Sequence, residues 1–173
     1  MSLYSFKADR YSSHATILAC AGAGAGRRIL DVGAADGFLA QHLSAHGWRV
    51  TAIEQDPDAA TRARQYCEQV LVCDLNHGAP LLQESFHTIV YGDVLEHLLT
   101  PGAVCQALNR HLAEDGDVII SVPNIAHLWI RLMLLLGRFD YADRGILDRT
   151  HIHFFTLKTL RQFLGDNHLE PHR

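Results

Sequence analysis

Short apolar segments alternate with longer amphipathic ones from Arg28 to Val122, and this alternation is the strongest constraint on the fold. Nearly continuous apolar runs of this length are typical of strands that are buried on both faces. The predicted strands are Arg28–Val32, Arg49–Ile53, Val70–Cys73, His87–Tyr91 and Asp117–Val122. The predicted helices are Asp9–Ala21, Phe38–His46, Pro57–Cys67, Pro101–Leu112, Asn124–Leu136 and Thr156–Gly165. We therefore expect an α/β fold, with a doubly wound, mainly parallel sheet in three α/β/α layers.

Length and composition predict one globular domain over residues 1–173, since 48% of the residues are hydrophobic and 20% charged. The formal net charge of -4 shows no sequence-wide basic excess of the kind that favours nucleic-acid binding. Four scattered cysteines without a CxxC pair favour a reducing compartment. Met1–Arg10 has no apolar leader, and the apolar run Ile125–Leu136 is shorter than the ~20 residues that cross a bilayer. We expect a cytoplasmic protein without nucleic-acid or membrane partners.

The segment Ile29–Gly37 joins the first strand to a helix through a turn that contains Gly33 and Gly37. Glycine allows a backbone to approach a ligand closely, and the helix behind it presents free amide groups. The dinucleotide pattern GxGxxG is not satisfied in the Gly33 register, because Ala35 stands where the second glycine would be required, and the loop also carries an acid, Asp36. Asp31 adds a second acid, so the loop suits a ligand with an ammonium and a sulfonium better than one with phosphates.

Two more acidic residues follow the next strands. Glu54 ends the second strand, where an acid can accept hydrogen bonds from both hydroxyls of a ribose. Asp74 follows the third strand and could accept from the exocyclic amine of an adenine. Together with Asp31 these acids outline an adenosine with a positively charged tail. The alternative is that each acid only caps a helix or a turn.

The same segments resemble a known family. Ile29–Gly37 resembles motif I of the class I S-adenosylmethionine-dependent methyltransferases, with Asp31, Gly33 and Gly37 in place and Ala35 replacing the middle glycine. Gly92–Leu98 resembles the motif that follows the fourth strand and lines the cofactor near its methyl group. Further likeness lies in segments 121–124, 137–141 and 148–156, a set similar to a bacterial subgroup associated with quinone, small-molecule and surface-polysaccharide methylation.

This resemblance implies a Rossmann-like fold, S-adenosyl-L-methionine as cofactor and S-adenosyl-L-homocysteine as product. The cofactor residues it implies are Tyr11, Asp31, Gly33, Ala35, Gly37, Glu54, Gln55, Asp74, Leu75, Asp93 and Val94. Family members continue with two more strands, one of them antiparallel, so the C-terminal strands are expected to be truncated in this chain. A bare edge strand promotes association, and we expect a second copy of the chain to cover it.

Candidate catalytic residues lie in the second half of the chain. His151 could act as a general base that Asp148 orients, and His97 is a second candidate. For each histidine the alternative is a structural hydrogen bond. Glu96, His97, His151 and His153 are suitable metal ligands, but their spacing is not that of a known site, so no metal is expected.

The expected reaction is methyl transfer from S-adenosylmethionine to a hydroxyl of a small-molecule acceptor. Residues 1–26 are expected to form an N-terminal helical cover, and residues 124–155 an insertion that acts as a lid and selects the acceptor. Three other functions stay open: an S-adenosylmethionine-binding module without turnover, a nicotinamide-dependent oxidoreductase, and an RNA methyltransferase, which the net charge disfavours.

Overall fold

Five parallel strands form one sheet in a computed structural model that describes residues 12–171. The strands are β1 (Arg28–Val32), β2 (Arg49–Glu54), β3 (Gln69–Val72), β4 (Phe86–Gly92) and β5 (Leu112–Ser121). The helices are α1 (Ser13–Ala21), α2 (Phe38–Ala45), α3 (Pro57–Ala63), α4 (Pro101–Asn109), α5 (Leu128–Leu135) and α6 (Leu157–Asp166), with a short 3-10 turn at Leu95–His97. The sheet order is β3-β2-β1-β4-β5. The predicted α/β class and the parallel sheet are confirmed.

The sheet is buried on both faces, as its apolar strands predict. Alternate residues of a strand point to opposite faces, and accordingly Leu30 and Ile29 of β1 belong to different hydrophobic clusters. The Leu30 cluster includes Leu108 of α4, whereas the Ile29 cluster includes Ile17 of α1 and Leu43 of α2. Helices therefore cover the two faces separately, which gives the expected three layers.

The helix α3 ends at Ala63, four residues before the predicted Cys67, and other differences from the predicted boundaries lie near β5. This strand begins at Leu112, five residues before the predicted Asp117, because Leu112 pairs with Phe86 ahead of an irregularity in the ladder. The helix α5 begins at Leu128 instead of Asn124, since Asn124 forms a β-bridge with Phe155. No strand within residues 12–171 pairs with the outer side of β5.

The strand order reverses around β1, which pairs with β2 on one side and β4 on the other. Open parallel sheets bind ligands in the crevice outside the carboxyl ends of the strands at such a point. The turn after β1 is held against α3, since a Cβ on Gly37 would lie 2.8 Å from the Cα of Ala63. This close approach places the turn at the mouth of the crevice.

Replacing Gly37 with alanine should destabilise the protein by about 2–5 kcal/mol. Its φ of 79° is strained for any L side chain, and the new methyl group would overlap the backbone of α3. Gly26 provides a matched control, because its φ is 81° and a Cβ there meets no atom within 4 Å. Gly26→Ala should cost only about 1–2 kcal/mol. Equal losses in urea unfolding would show that packing against α3 contributes nothing.

Candidate functional site

A cavity of about 940 Å³ opens at the carboxyl ends of the strands. Most of the residues predicted for the site line it: Asp31, Gly33, Ala35, Glu54, Gln55, Asp74, Leu75, Asp93, Val94, His97, Asp148 and His151. Gly37 does not line the cavity, because it packs behind the turn against α3. Tyr11 lies outside the described residues. The segment after α5 adds Arg144, Gly145 and Ile146, which the sequence did not single out.

Asp31 is a deeply buried acid on the wall of this cavity. Its side chain is 2% exposed, and its Oδ2 has no hydrogen-bond partner among residues 12–171. Burial and the nearby charge of Glu54 raise the pKa of Asp31 to about 7. A buried, unpartnered carboxylate is stabilised by a cationic neighbour, so this end of the cavity suits a positively charged group.

Glu54 links the ends of β1 and β2. Its Oε2 accepts a hydrogen bond from the backbone N–H of Ala35 at 2.7 Å, and its Oε1 accepts from that of Asp56 at 2.9 Å. Each carboxylate oxygen has a further lone pair, which leaves Glu54 able to accept from two ligand hydroxyls. Ala35 itself adopts a left-handed φ of 47° in this turn.

The two acids of the β1 turn have different environments. Asp31 lines the cavity, whereas the Oδ1 of Asp36 accepts hydrogen bonds from Nε and Nη2 of Arg62 at 2.8 and 2.6 Å. Asp36 is therefore neutralised by Arg62 of α3, so of the two acids in the loop it is Asp31 that lines the cavity. Gly33 is needed for a close approach, since a Cβ there would lie 2.9 Å from a methyl group of Val94.

Asp74 forms a local turn at the far end of the cavity. Its Oδ1 accepts from the backbone N–H of Asn76 at 2.9 Å, and its Oδ2 lies 2.9 Å from Nδ1 of His77. The bond from the Asn76 backbone, with the neighbouring imidazole, holds the pKa of Asp74 below its usual value. The carboxylate stays ionised and keeps unused lone pairs, as an acceptor for an amine requires.

Asp93 follows β4 and has a left-handed φ of 53°. Its Oδ1 accepts a hydrogen bond from the hydroxyl of Ser121 at 2.5 Å, so the ends of β4 and β5 are tied together. Strained backbone of this kind is concentrated at functional sites. Val94 and Glu96, which come shortly after Asp93 in the chain, also line the cavity.

Two histidines and a buried acid form a cluster at the side of the cavity. The rings of His97 and His151 are 4.7 Å apart and edge to face. Nε2 of His151 lies 3.9 Å from Oε1 of Glu96, whose carboxyl oxygens have no hydrogen-bond partner within the described part of the chain. Burial raises the pKa of Glu96 to about 8, while burial and His151 lower that of His97.

Among the described residues, Asp148 forms no hydrogen bond or ion pair with either histidine ring. Its Oδ1 accepts from the backbone N–H and the hydroxyl of Thr150 at 2.8 and 2.7 Å. Nδ1 of His151 instead lies 3.1 Å from the carbonyl oxygen of Ile146. The expected orientation of His151 by Asp148 is thus replaced by a contact between Asp148 and Thr150. The sequence did not predict the contact of Thr150 with His97, nor that the Glu96 carboxyl group lacks a hydrogen-bond partner among the described residues. Both features depend on residues about 50 positions apart.

The same cluster has the spacing of a metal site. One ligand atom from each of Glu96, His97 and His151 lies within 4.8 Å of the others. Carboxylate and imidazole are ligands for zinc and for other divalent ions. The expectation that no metal is required stays a prediction.

Comparison with known proteins identifies the family. A family model for a methyltransferase domain matches residues 7–172. The ubiquinone biosynthesis O-methyltransferase of Glaesserella parasuis serovar 5 (strain SH0165) is 33% identical over 136 residues, which cover 73% of this chain and 57% of that protein. The protein of the same name from Xylella fastidiosa (strain 9a5c) is 33% identical over 132 residues, with 73% and 53% covered. The chain thus spans a little over half the length of these curated relatives.

Solved structures agree with this result. A TehB-like SAM-dependent methyltransferase from Corynebacterium glutamicum superposes with a TM-score of 0.53 at 30% identity, over 65% of this chain and 62% of that one. The 1,6-didemethyltoxoflavin-N1-methyltransferase of Burkholderia thailandensis gives a TM-score of 0.67 at 21% identity, over 96% and 69%, a likeness of fold. The resemblance inferred from the sequence motifs is confirmed. The chain belongs to the class I S-adenosylmethionine-dependent methyltransferases.

Proposed function

We propose that this chain binds S-adenosylmethionine in the cavity and transfers its methyl group to a hydroxyl of a small molecule. The observation that carries the proposal is the pair of acids at the ends of β1 and β2. Asp31 is buried with an unpartnered oxygen, which fits a cationic group. Glu54 is fixed by two backbone amides and can still accept two hydrogen bonds, which fits a ribose.

The other predicted residues complete this placement. The ribose hydroxyls would bind Glu54, the cationic methionine portion would lie near Asp31 and the Gly33 turn, and the adenine would lie beside Asp74. The remaining members of the set that we assign to the cofactor are Ala35, Gln55, Leu75, Asp93 and Val94, all on the cavity wall. Gly37 supports the turn from behind, and Tyr11 remains a cofactor residue by resemblance only.

The bound cofactor supplies an activated methyl carbon, so the protein contributes mainly alignment and the exclusion of water. A hydroxyl acceptor must also lose its proton, which a nearby base can take. His97 and His151 line the same cavity as the cofactor residues. We propose that this histidine cluster, with Asp148, takes part in deprotonating the acceptor.

The acceptor would be selected by the segment of residues 124–155, which we propose as a lid. The bridge between Asn124 and Phe155 closes the base of this segment, and Phe139 packs edge to face on Tyr141 and Phe154 at 5.4 and 5.8 Å. Aromatic rings can line a pocket for an apolar acceptor. The relatives named for ubiquinone biosynthesis support an O-methylated small molecule.

The setting of the chain is also part of the proposal. Among residues 12–171 no helix has the length and apolar character that a membrane span requires. All four cysteines are free thiols, which supports a cytoplasmic location. We further propose a homodimer in which a second copy covers the outer edge of β5.

Turnover is tested by incubating the protein with S-adenosylmethionine and a panel of hydroxylated aromatic molecules. Release of S-adenosylhomocysteine together with a singly methylated acceptor, followed by mass spectrometry, is the expected result. Cofactor binding without methylation of any hydroxyl would favour the alternative of a binding module. Tight binding of NAD without binding of either adenosyl compound would favour an oxidoreductase and overturn the proposal.

Replacing Glu54 with alanine should weaken S-adenosylmethionine binding by ~1–3 kcal/mol, because buried hydrogen bonds to the ligand are lost. Calorimetric titration measures the change directly. Glu84→Ala is the matched control, since Glu84 pairs with Arg28 at 3.5 Å near the opposite ends of the strands. Equal affinities for the two variants would show that the ribose lies elsewhere, provided that both retain the thermal midpoint of folding.

Replacing Asp31 with asparagine should stabilise the ligand-free protein at high pH and weaken cofactor binding. The pKa of Asp31 is raised from 3.8 to about 7 in the fold, so the folded state holds a proton that the unfolded state loses. Wild-type stability relative to the variant should therefore fall between pH 4 and pH 7 and then level off. The difference should reach up to about 4 kcal/mol at pH 8.

Thermal unfolding of the wild type and Asp31→Asn across this pH range measures the effect. A difference in stability that does not change with pH would show that Asp31 is not buried as an isolated acid. Cofactor titration at pH 8 tests the second expectation. The wild type, in which Asp31 is ionised, should bind the cationic cofactor more tightly than Asp31→Asn.

A further inference from the structure

The imidazole of His97 is positioned by hydrogen bonds with Thr150. Nδ1 of His97 lies 3.2 Å from the carbonyl oxygen of Thr150 and 3.0 Å from its hydroxyl oxygen. A carbonyl oxygen can only accept a hydrogen bond. The first contact therefore requires a proton on Nδ1.

The second contact requires the same proton, because of Asp148. The hydroxyl of Thr150 lies 2.7 Å from Oδ1 of Asp148. An ionised carboxylate only accepts, and the pKa of Asp148 is lowered by its bonds from Thr150 despite the opposing effect of burial. The single hydroxyl hydrogen is thus donated to Asp148, and the hydroxyl oxygen accepts from His97.

We propose that Thr150 is a positioning residue that fixes His97 as the tautomer protonated on Nδ1, and that Nε2 of His97 takes the acceptor proton. In the neutral ring the lone pair is then on Nε2. This nitrogen has no hydrogen-bond partner among the residues that the structure describes, and His97 is only half-buried in the cavity wall. Asp148 acts through Thr150 and not on a histidine directly.

His151 is less suited to this task. Its Nδ1 faces the carbonyl oxygen of Ile146 at 3.1 Å, so it too carries a proton there. Its Nε2, however, faces Oε1 of Glu96 at 3.9 Å, and the ring is only 7% exposed. The lone pair of His151 thus belongs to a buried residue beside a buried carboxyl group, whereas His97 is the more exposed of the two histidines.

The role of His97 rests on the proposed function, since it requires a hydroxyl acceptor. The O–H bond of the acceptor breaks, its proton moves to Nε2, and its electron pair stays on the oxygen, which forms the new bond to the methyl carbon. The methyl carbon leaves the sulfur, and the sulfur keeps the electron pair of the broken bond. His97 then carries a positive charge until the proton passes to solvent.

The tautomer can be measured without an acceptor. Long-range ¹⁵N–¹H correlation spectra of the ¹⁵N-labelled protein, recorded with a chelator at a pH where His97 is neutral, distinguish a protonated nitrogen from one with a lone pair. The His97 signals are assigned by their loss in His97→Gln. We expect Nδ1 to be protonated and Nε2 to carry the lone pair. The opposite assignment would overturn the proposal.

Two substitutions at Thr150 test the positioning role. Thr150→Val keeps the backbone bonds but removes the hydroxyl acceptor, so the ratio of the Nδ1-protonated form to the other tautomer should fall by about 2- to 10-fold. Thr150→Ser should restore the ratio. Thr61→Val is the matched control, because the Thr61 hydroxyl makes local bonds only: it donates to the carbonyl oxygen of Pro57 at 2.8 Å and accepts from Nη1 of Arg64 at 3.3 Å. It should leave the His97 signals unchanged.

Turnover supplies the second readout, with any acceptor that the panel identifies. Thr150→Val should lower kcat by about 2- to 10-fold while the cofactor Kd stays the same, and Thr150→Ser should recover activity.

An unchanged tautomer ratio in Thr150→Val, or equal loss of kcat in the serine variant, would overturn the positioning role. If no acceptor is methylated, the function fails while the tautomer is still decided by the spectra. If Thr150→Val does not fold, Thr150→Ala replaces it with the same expectations.

Discussion

The carboxylate of Glu54 joins the loops at the ends of β1 and β2, and the shape of the site depends on this contact. By accepting hydrogen bonds from Ala35 and Asp56, it holds the turn after β1 and the start of α3 at one fixed separation. The turn is fixed from its other side by the bond between Asp36 and Arg62 and by the packing of Gly37 on Ala63. The backbone of the turn that lines the cavity is therefore fixed, before any ligand binds, by side chains from the neighbouring strand and helix.

Much of this fold follows from the sequence, because β1, β2 and β4 are buried on both faces and are therefore mostly apolar. The acids at strand ends were predictable for the same reason: parallel strands bring their carboxyl ends to one edge of the sheet. The Gly33 turn was visible through its glycine spacing. Each of these features depends on a short stretch of chain and on a regular sheet.

The histidine cluster was only partly predictable. His97 and His151 stood out as chemical types, but their environment is set by contacts across 53 residues, such as that between His97 and Thr150. No local pattern encodes which oxygen faces which nitrogen. The same limitation applied to Asp36, whose charge was counted with that of Asp31 as favouring a cationic ligand. It instead pairs with Arg62, which comes from a helix 26 residues away along the chain.

Ala35 has a consequence for how a ligand enters the site. Its left-handed φ of 47° costs the folded chain about 1 kcal/mol relative to glycine. An alanine, however, has fewer backbone states than glycine in a flexible loop. The conformational entropy of this residue is therefore lost when the chain folds and not when a ligand binds. A ligand then meets a turn that needs no further ordering at this position. Rigidity at the centre of the turn thus takes the place of the flexibility that a glycine would provide.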